Sequence, residues 1–225
     1  MAKVYLSPSN QTDNRYAYGN TTEAEQCGKI AEACRAALER SGVTVMVGHM
    51  PAMQEKVRQS DAFGAELHVP IHTNAFNGKV MGARMFCYNA TGKGMAACKA
   101  IFARLAPITP GESENIQVND KLYEVRVPKA PTAYIECEFH DNPTSAKWIV
   151  ENTAIMGETI ARGICDYFGV AFKEQEPEQP KPATDKNGGD KLYRVQIGAY
   201  AKRENAEKML AKLKAAGFDG FIREN

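Results

Sequence analysis

The sequence predicts an α/β fold, a twisted and mostly parallel sheet flanked by helices, followed by a small C-terminal strand-helix-strand unit. Three observations carry that reading. Short β-branched and aromatic runs alternate with stretches of helical period across residues 1–172. A stretch over residues 173–190, rich in Pro, Glu and Gln and later in Gly, holds no core-forming run and reads as a linker. Beyond it, residues 191–225 resume an apolar pattern over a length below the roughly 40 residues at which a domain folds unaided.

The elements follow in order. Val4-Tyr5-Leu6 is the first strand. Thr22 and Glu25 form a capping box, and Cys27, Ile30, Ala31, Cys34, Ala37 and Leu38 share one face of the helix it opens, which Gly42 stops. Val43 to Val47, Glu66 to His72 and Arg84 to Tyr88 read as the next strands. A helix covers roughly Gly94 to Leu105, and Ala133 to Cys137 is a further strand. Helical period then runs from Thr144 to Phe168, with Ile155, Ile160, Ile164 and Tyr167 supplying apolar contacts and Gly169 closing the domain. After the linker, Tyr193, Val195 and Ile197 alternate with polar residues. Ala206, Met209, Leu210, Leu213 and Ala216 stripe a helix ended by Gly217, and Phe221-Ile222 begins another strand.

Composition excludes several function classes. Lys and Arg number 28 against 27 Asp and Glu, a net charge of +1, so no global field favours nucleic acid or anionic lipid. No apolar run approaches the roughly 18 residues that span a bilayer, so no membrane insertion is expected. The apolar stretch at the amino terminus is shorter than the roughly 7–15 residues of a signal-peptide core, which gives the expectation of cytoplasmic synthesis. Six cysteines sit singly within apolar patterns without CxxC spacing and are expected as reduced core thiols.

An open α/β sheet binds its ligands outside the carboxyl ends of its strands. Three such ends carry polar residues: Ser7 to Asn14, His72-Thr73-Asn74, and Glu136 to Asn142. Glu23, in the first turn of the first helix, adds a carboxylate that the cap leaves free, because Glu25 serves the capping box. His72 reads either as a metal ligand or as a hydrogen-bonded strand-end histidine. His68, four strand residues away and so about 13 Å distant, cannot share its metal and reads as structural. Glu136 lies inside an apolar strand, where a carboxylate needs a partner, a metal or a proton. Glu138, two residues on, is expected on the same side, where neighbouring carboxylates raise each other's pKa and suit general acid/base work.

Taken in order, Val4-Tyr5-Leu6-Ser7-Pro8-Ser9, Thr22-Glu23 opening a helix, Val69-Pro70-Ile71-His72-Thr73-Asn74-Ala75, and Ala133-Tyr134-Ile135-Glu136-Cys137-Glu138-Phe139-His140-Asp141-Asn142 resemble the zinc-dependent N-acetylmuramoyl-L-alanine amidases of the amidase type 3 family. The resemblance covers roughly residues 1–170. It implies Glu23 and His72 as zinc ligands and Glu136 as the catalytic carboxylate. The family supplies a further histidine from the loop after the first strand, and this chain lacks it. Asn10 stands at one of its positions and Asp13 at the other. Asp13 is the better third ligand, since a carboxylate binds zinc at about 2.0–2.2 Å and an amide oxygen binds it poorly. His140 and Asn10 are the alternatives.

The function so implied is hydrolysis of the amide between the muramoyl lactyl group and the L-alanine of the stem peptide, in an endolysin or autolysin that reaches the cell wall after release. A non-catalytic wall-binding protein on the same fold and a zinc peptidase acting on the stem peptide stand as alternatives. Residues 191–225, with Leu192 to Tyr200, Asn205-Ala206 and Ala215 to Phe218, look like half of a SPOR-type peptidoglycan-binding module. That shortfall raises the expectation of a homodimer in which two halves complete one module.

Overall fold

The computed structural model describes residues 2–175, 196–218 and 220–222. Two compact units divide the chain, Met1–Glu176 and Pro177–Asn225. In the first, β1 (Lys3–Pro8), α1 (Glu23–Arg40), β2 (Thr44–Val47), α2 (Met53–Phe63), β3 (Leu67–Asn74) and β4 (Arg84–Cys87) come in that order. Then follow α3 (Lys93–Leu105), β5 (Ile116–Val118), the single turn α4 (Tyr123–Arg126), β6 (Tyr134–Phe139) and α5 (Pro143–Phe168).

The six strands form one sheet in the order β2-β1-β3-β6-β4-β5. β1 pairs parallel with β2 and β3, β3 with β6, and β4 with β5, while β4 meets β6 antiparallel. The expected mostly parallel sheet is present, with β4 and β5 at one side running the other way. Val4, Leu6, Leu67, Val69, Ile71, Met85, Ile135 and Cys137 build one face with α1, α3 and α5, and all are fully buried. The six cysteines are buried and free.

Strand alternation sends the intervening residues to the opposite face. That face is polar where α2 and α4 cover it. Tyr5 stacks on His68 with ring centroids 5.3 Å apart and donates to Gln59 Oε1 at 2.7 Å. His68 places Nδ1 2.9 Å from Ser60 Oγ and Nε2 3.2 Å from Glu124 Oε1, which also accepts from Ser7. Lys56 donates to the Pro8 carbonyl. Burial pushes the Glu124 carboxyl up, but His68, Ser7 and Lys56 together hold it below its ordinary value. His68 is therefore structural, as its distance from His72 along the strand requires.

α5 begins on Asn142, whose Oδ1 accepts from Thr144 N at 2.9 Å and Ser145 N at 3.2 Å, and ends on Gly169 in the left-handed conformation. Asn152 interrupts it with φ −126° and donates its side-chain amide to the Trp148 carbonyl at 2.7 Å. Past this kink Ile155 turns to solvent, 55% exposed, rather than joining Ile160 and Ile164 in the core. Lys173 remains tied to the domain at the point where the linker was expected, its N–H on Ser41 Oγ at 3.1 Å and its carbonyl accepting from Arg40 Nε at 2.8 Å. Among the described residues, no helix is long and apolar enough to cross a membrane.

In the second unit, α6 (Arg203–Ala215) forms where the apolar stripe predicts it. Tyr193 and Val195 lie outside the described residues, while Ile197, Phe221 and Ile222 take no strand conformation. A strand needs a neighbour for its backbone groups, and α6 itself buries no side chain.

Two glycines let α5 approach its neighbours closely. A Cβ on Gly157 would lie 2.5 Å from Ala33 Cβ and 2.6 Å from the Ile30 carbonyl on α1, and one on Gly163 would lie 2.4 Å from Ile101 Cα on α3. Alanine favours a helix by about 1 kcal/mol over glycine, yet overpacking costs about 1–3 kcal/mol. Because the added Cβ would meet backbone atoms at 2.6 and 2.7 Å, the upper half of that cost applies, and Gly157→Ala should lower stability by about 1–2 kcal/mol, read as a fall in the urea midpoint with an unchanged slope.

Candidate active site

From β1 the connection through α1 leads to β2 on one side, and the connection through α2 then leads to β3 on the other. The loops leaving the carboxyl ends of β1 and β3 diverge there and open a crevice. α1 delivers its first residue into it. The capping box forms as expected, Thr22 Oγ1 accepting from Glu25 N and Glu25 Oε2 accepting from Thr22 N, both at 3.3 Å. Glu23 is left free to reach β3.

Glu23 Oε1 lies 2.9 Å from His72 Nδ1 and accepts from Thr73 N at 3.4 Å, while Oε2 accepts from Asn14 Nδ2 at 2.7 Å. The Asn14 carbonyl also accepts from Glu23 N at 2.9 Å, so one loop residue fixes both ends of the glutamate. Glu23 and His72 are both buried, and Tyr134 stacks on the His72 ring at 4.8 Å. Burial works to raise the Glu23 carboxyl. The bond and charge of His72, with bonds from Asn14 and Ser9, outweigh it and hold the group below its ordinary value.

Glu136 on β6 stands directly across from His72 on β3, and Arg84 on β4 stands directly across from Glu136 on its other side. Glu136 is half-buried, with Oε2 sealed from solvent and unpartnered. Its carboxyl is pushed up to about 7, first by burial; His72 and Arg84 oppose the rise and Glu23 adds to it. Arg84 was not among the residues singled out from the sequence. In an all-parallel sheet the start of a strand lies at the rim away from the crevice, and only the antiparallel pairing of β4 brings it alongside Glu136.

One expected position is corrected. Glu138 does not share a side with Glu136, because His72 to Asn74 on β3 spans Glu136 to Phe139 on β6, one residue more, and the resulting bulge turns the strand. Glu138 instead accepts from Gly82 N at 2.6 Å and Ser145 Oγ at 3.0 Å. Asp13 is exposed and does not join Glu23 and His72. Asn10, also exposed, gives its amide to the Pro51 carbonyl. His140 is buried and occupied: Nδ1 donates to the Thr73 carbonyl at 3.1 Å, and its ring stacks on Tyr16 at 5.1 Å.

Glu23 and His72 suit zinc in kind, an anionic oxygen and an imidazole nitrogen facing each other across 2.9 Å. The two also bond each other, Nδ1–H donating to the carboxylate. In number the donor set is short, since no three His, Cys, Asp or Glu gather to hold a metal among the described residues and a catalytic zinc has three protein ligands.

The profile of the N-acetylmuramoyl-L-alanine amidase family matches residues 4–166, and that of the SPOR domain matches residues 172–224. The SPOR match lies within one chain, and the expected homodimer finds no support. The chain is 23% identical over 229 residues to the N-acetylmuramoyl-L-alanine amidase CwlM of Bacillus licheniformis, covering 99% of this chain and 85% of the relative. It is 24% identical over 242 residues to the sporulation-specific N-acetylmuramoyl-L-alanine amidase of Bacillus subtilis (strain 168), covering 99% and 84%. The catalytic domain of CwlV, an N-acetylmuramoyl-L-alanine amidase from Bacillus (Paenibacillus) polymyxa, shares the fold. Its TM-score is 0.68 at 15% identity, with 76% of this chain and 100% of that one covered.

The raised carboxyl of Glu136 makes a prediction about stability. Its folded value of about 7 exceeds the ordinary 4.5 of a free glutamate, so the folded state holds the proton more tightly and stability falls as pH rises through that window. Glu136→Gln removes the cost. In chelator-treated protein the variant should match the parent near pH 4.5 and exceed it by up to about 3 kcal/mol at pH 8, measured by urea denaturation.

Proposed function

The chain belongs to the N-acetylmuramoyl-L-alanine amidase family, and from that premise we propose how its residues divide the work of cleaving the amide between the muramoyl lactyl group and L-alanine. Glu136 is the catalytic carboxylate. It takes a proton from the attacking water as oxygen adds to the lactyl carbonyl carbon, and gives it to the alanine nitrogen as the carbon–nitrogen bond breaks. A group poised near neutrality can do both, and the observation that carries this reading is the in-register placement of Glu136 beside the Glu23–His72 pair, with its carboxyl near 7.

Glu23 and His72 would hold a zinc ion, and the loop carboxylate Asp13, exposed and next to Asn14, would have to turn inward to serve as the third donor. When bound, the ion supplies polarisation of the scissile carbonyl and activation of the attacking water. Asn14 orients Glu23 by gripping both its backbone and its carboxylate, and Tyr134 fixes the plane of the His72 ring.

Peptidoglycan is the partner of both units, through the amidase domain and the SPOR domain. Joining a wall-binding unit to a hydrolytic one raises the local concentration of polymer at the crevice.

Zinc content and product mass together test the assignment. Purified protein should carry stoichiometric zinc, and His72→Ala should lose it. Glu136→Gln should keep the zinc yet release stem peptide about 10²- to 10⁴-fold more slowly from purified peptidoglycan. Mass spectrometry should find peptides with a free L-alanine amino terminus. Undiminished release by Glu136→Gln would remove that carboxylate from the mechanism, and cleavage within the stem would make the enzyme a peptidase.

A further inference from the structure

Three polar atoms on adjacent strands are sealed from solvent without a hydrogen-bond partner: His72 Nε2 on β3, Glu136 Oε2 on β6 and Arg84 Nε on β4. The pairings His72 with Glu136 and Glu136 with Arg84 put them in one row on one face of the sheet. Buried polar groups are nearly always paired, so a row of unpaired ones marks a place where a ligand supplies the partners.

Arg84 is the member of that row for which the chemistry described so far has no use. Its guanidinium is held on two sides: Nη2 forms an ion pair with Glu114, and Cζ lies 4.9 Å from the centre of the Phe139 ring. Nε, the nitrogen nearest the strand, is the atom left over. It is a donor with fixed orientation, which suits an oxygen acceptor and not a second cation.

The spacing indicates which oxygen. Neighbouring strands lie about 4.8 Å apart, and an extended peptide advances about 3.3–3.6 Å per residue. With Glu136 at the departing alanine nitrogen, Arg84 stands about one residue further along the stem peptide. We propose that Arg84 Nε–H donates to the main-chain carbonyl oxygen of that L-alanine, which makes Arg84 the residue that grips the stem peptide on its leaving side. The assignment rests on the amidase reading of Glu136.

Peptide binding and turnover separate the two ideas. The synthetic stem peptide L-Ala-γ-D-Glu-L-Lys is titrated by calorimetry into the full-length chain and into its Arg84→Met, Arg84→Lys and Glu114→Gln variants. Stem-peptide release from peptidoglycan is measured alongside. Arg84→Met and Arg84→Lys should each weaken binding tenfold or more, because neither presents an N–H at the depth of Nε. Glu114→Gln should bind as the parent does, since it removes the ion pair and leaves Nε in place. Parental affinity in Arg84→Met, an equal loss in Glu114→Gln, or no binding by the parent would overturn the inference. Absence of stem-peptide release by the parent would instead count against the amidase reading, whatever the affinities.

Discussion

The central constraint in this domain is the double pairing of β6, parallel to β3 on one side and antiparallel to β4 on the other. It fixes Glu136 between His72 and Arg84 to within the tolerance of a sheet register. A slip of one residue would turn Glu136 into the apolar face, where Ile135 and Cys137 now pack against helices, and would bury a carboxylate among hydrocarbon. The apolar packing of one face therefore holds the chemistry of the other. The bulge that follows Glu136 completes the separation, because it diverts Glu138 to Gly82 and Ser145 and leaves Glu136 without a neighbouring carboxylate from its own strand.

The polar face carries two groups of side chains, one bonded among its own members and one around Glu136. Beneath α2 and α4, Ser7, His68, Ser60 and Glu124 bond one another, while Lys56 takes the Pro8 carbonyl. Such a network is tolerable in a low-dielectric interior only because its members find partners. At the crevice, by contrast, three atoms of His72, Glu136 and Arg84 have none. Their desolvation is offset by the packing of the domain around them.

Sequence reading was informative about Glu23, His72 and Glu136, and the reasons are local. A capping box that consumes Glu25 leaves Glu23 free, strand ends name His72, and a carboxylate inside an apolar strand names Glu136. It was silent on α2, because that helix buries Lys56 and Ser60 alongside Val57 and begins at Ala52 without a side-chain cap, so its apolar stripe is broken by polar residues. α4 is one turn and β5 three half-exposed or exposed residues, each too short for periodicity to register. Strict alternation misplaced Glu138, since a bulge leaves no mark in hydrophobic pattern.

By itself the sequence determined the α/β class, the helix that carries Glu23, the reduced state of the six buried thiols and the residue types available for hydrolysis, because caps, periodicity and composition act over a few neighbouring residues. Only the tertiary structure decided that β4 runs against β6, that Arg84 stands beside Glu136, and that Glu136 carries a raised carboxyl. Those outcomes depend on strand direction, register and burial, which arise from contacts between segments far apart in the chain and have no local signature.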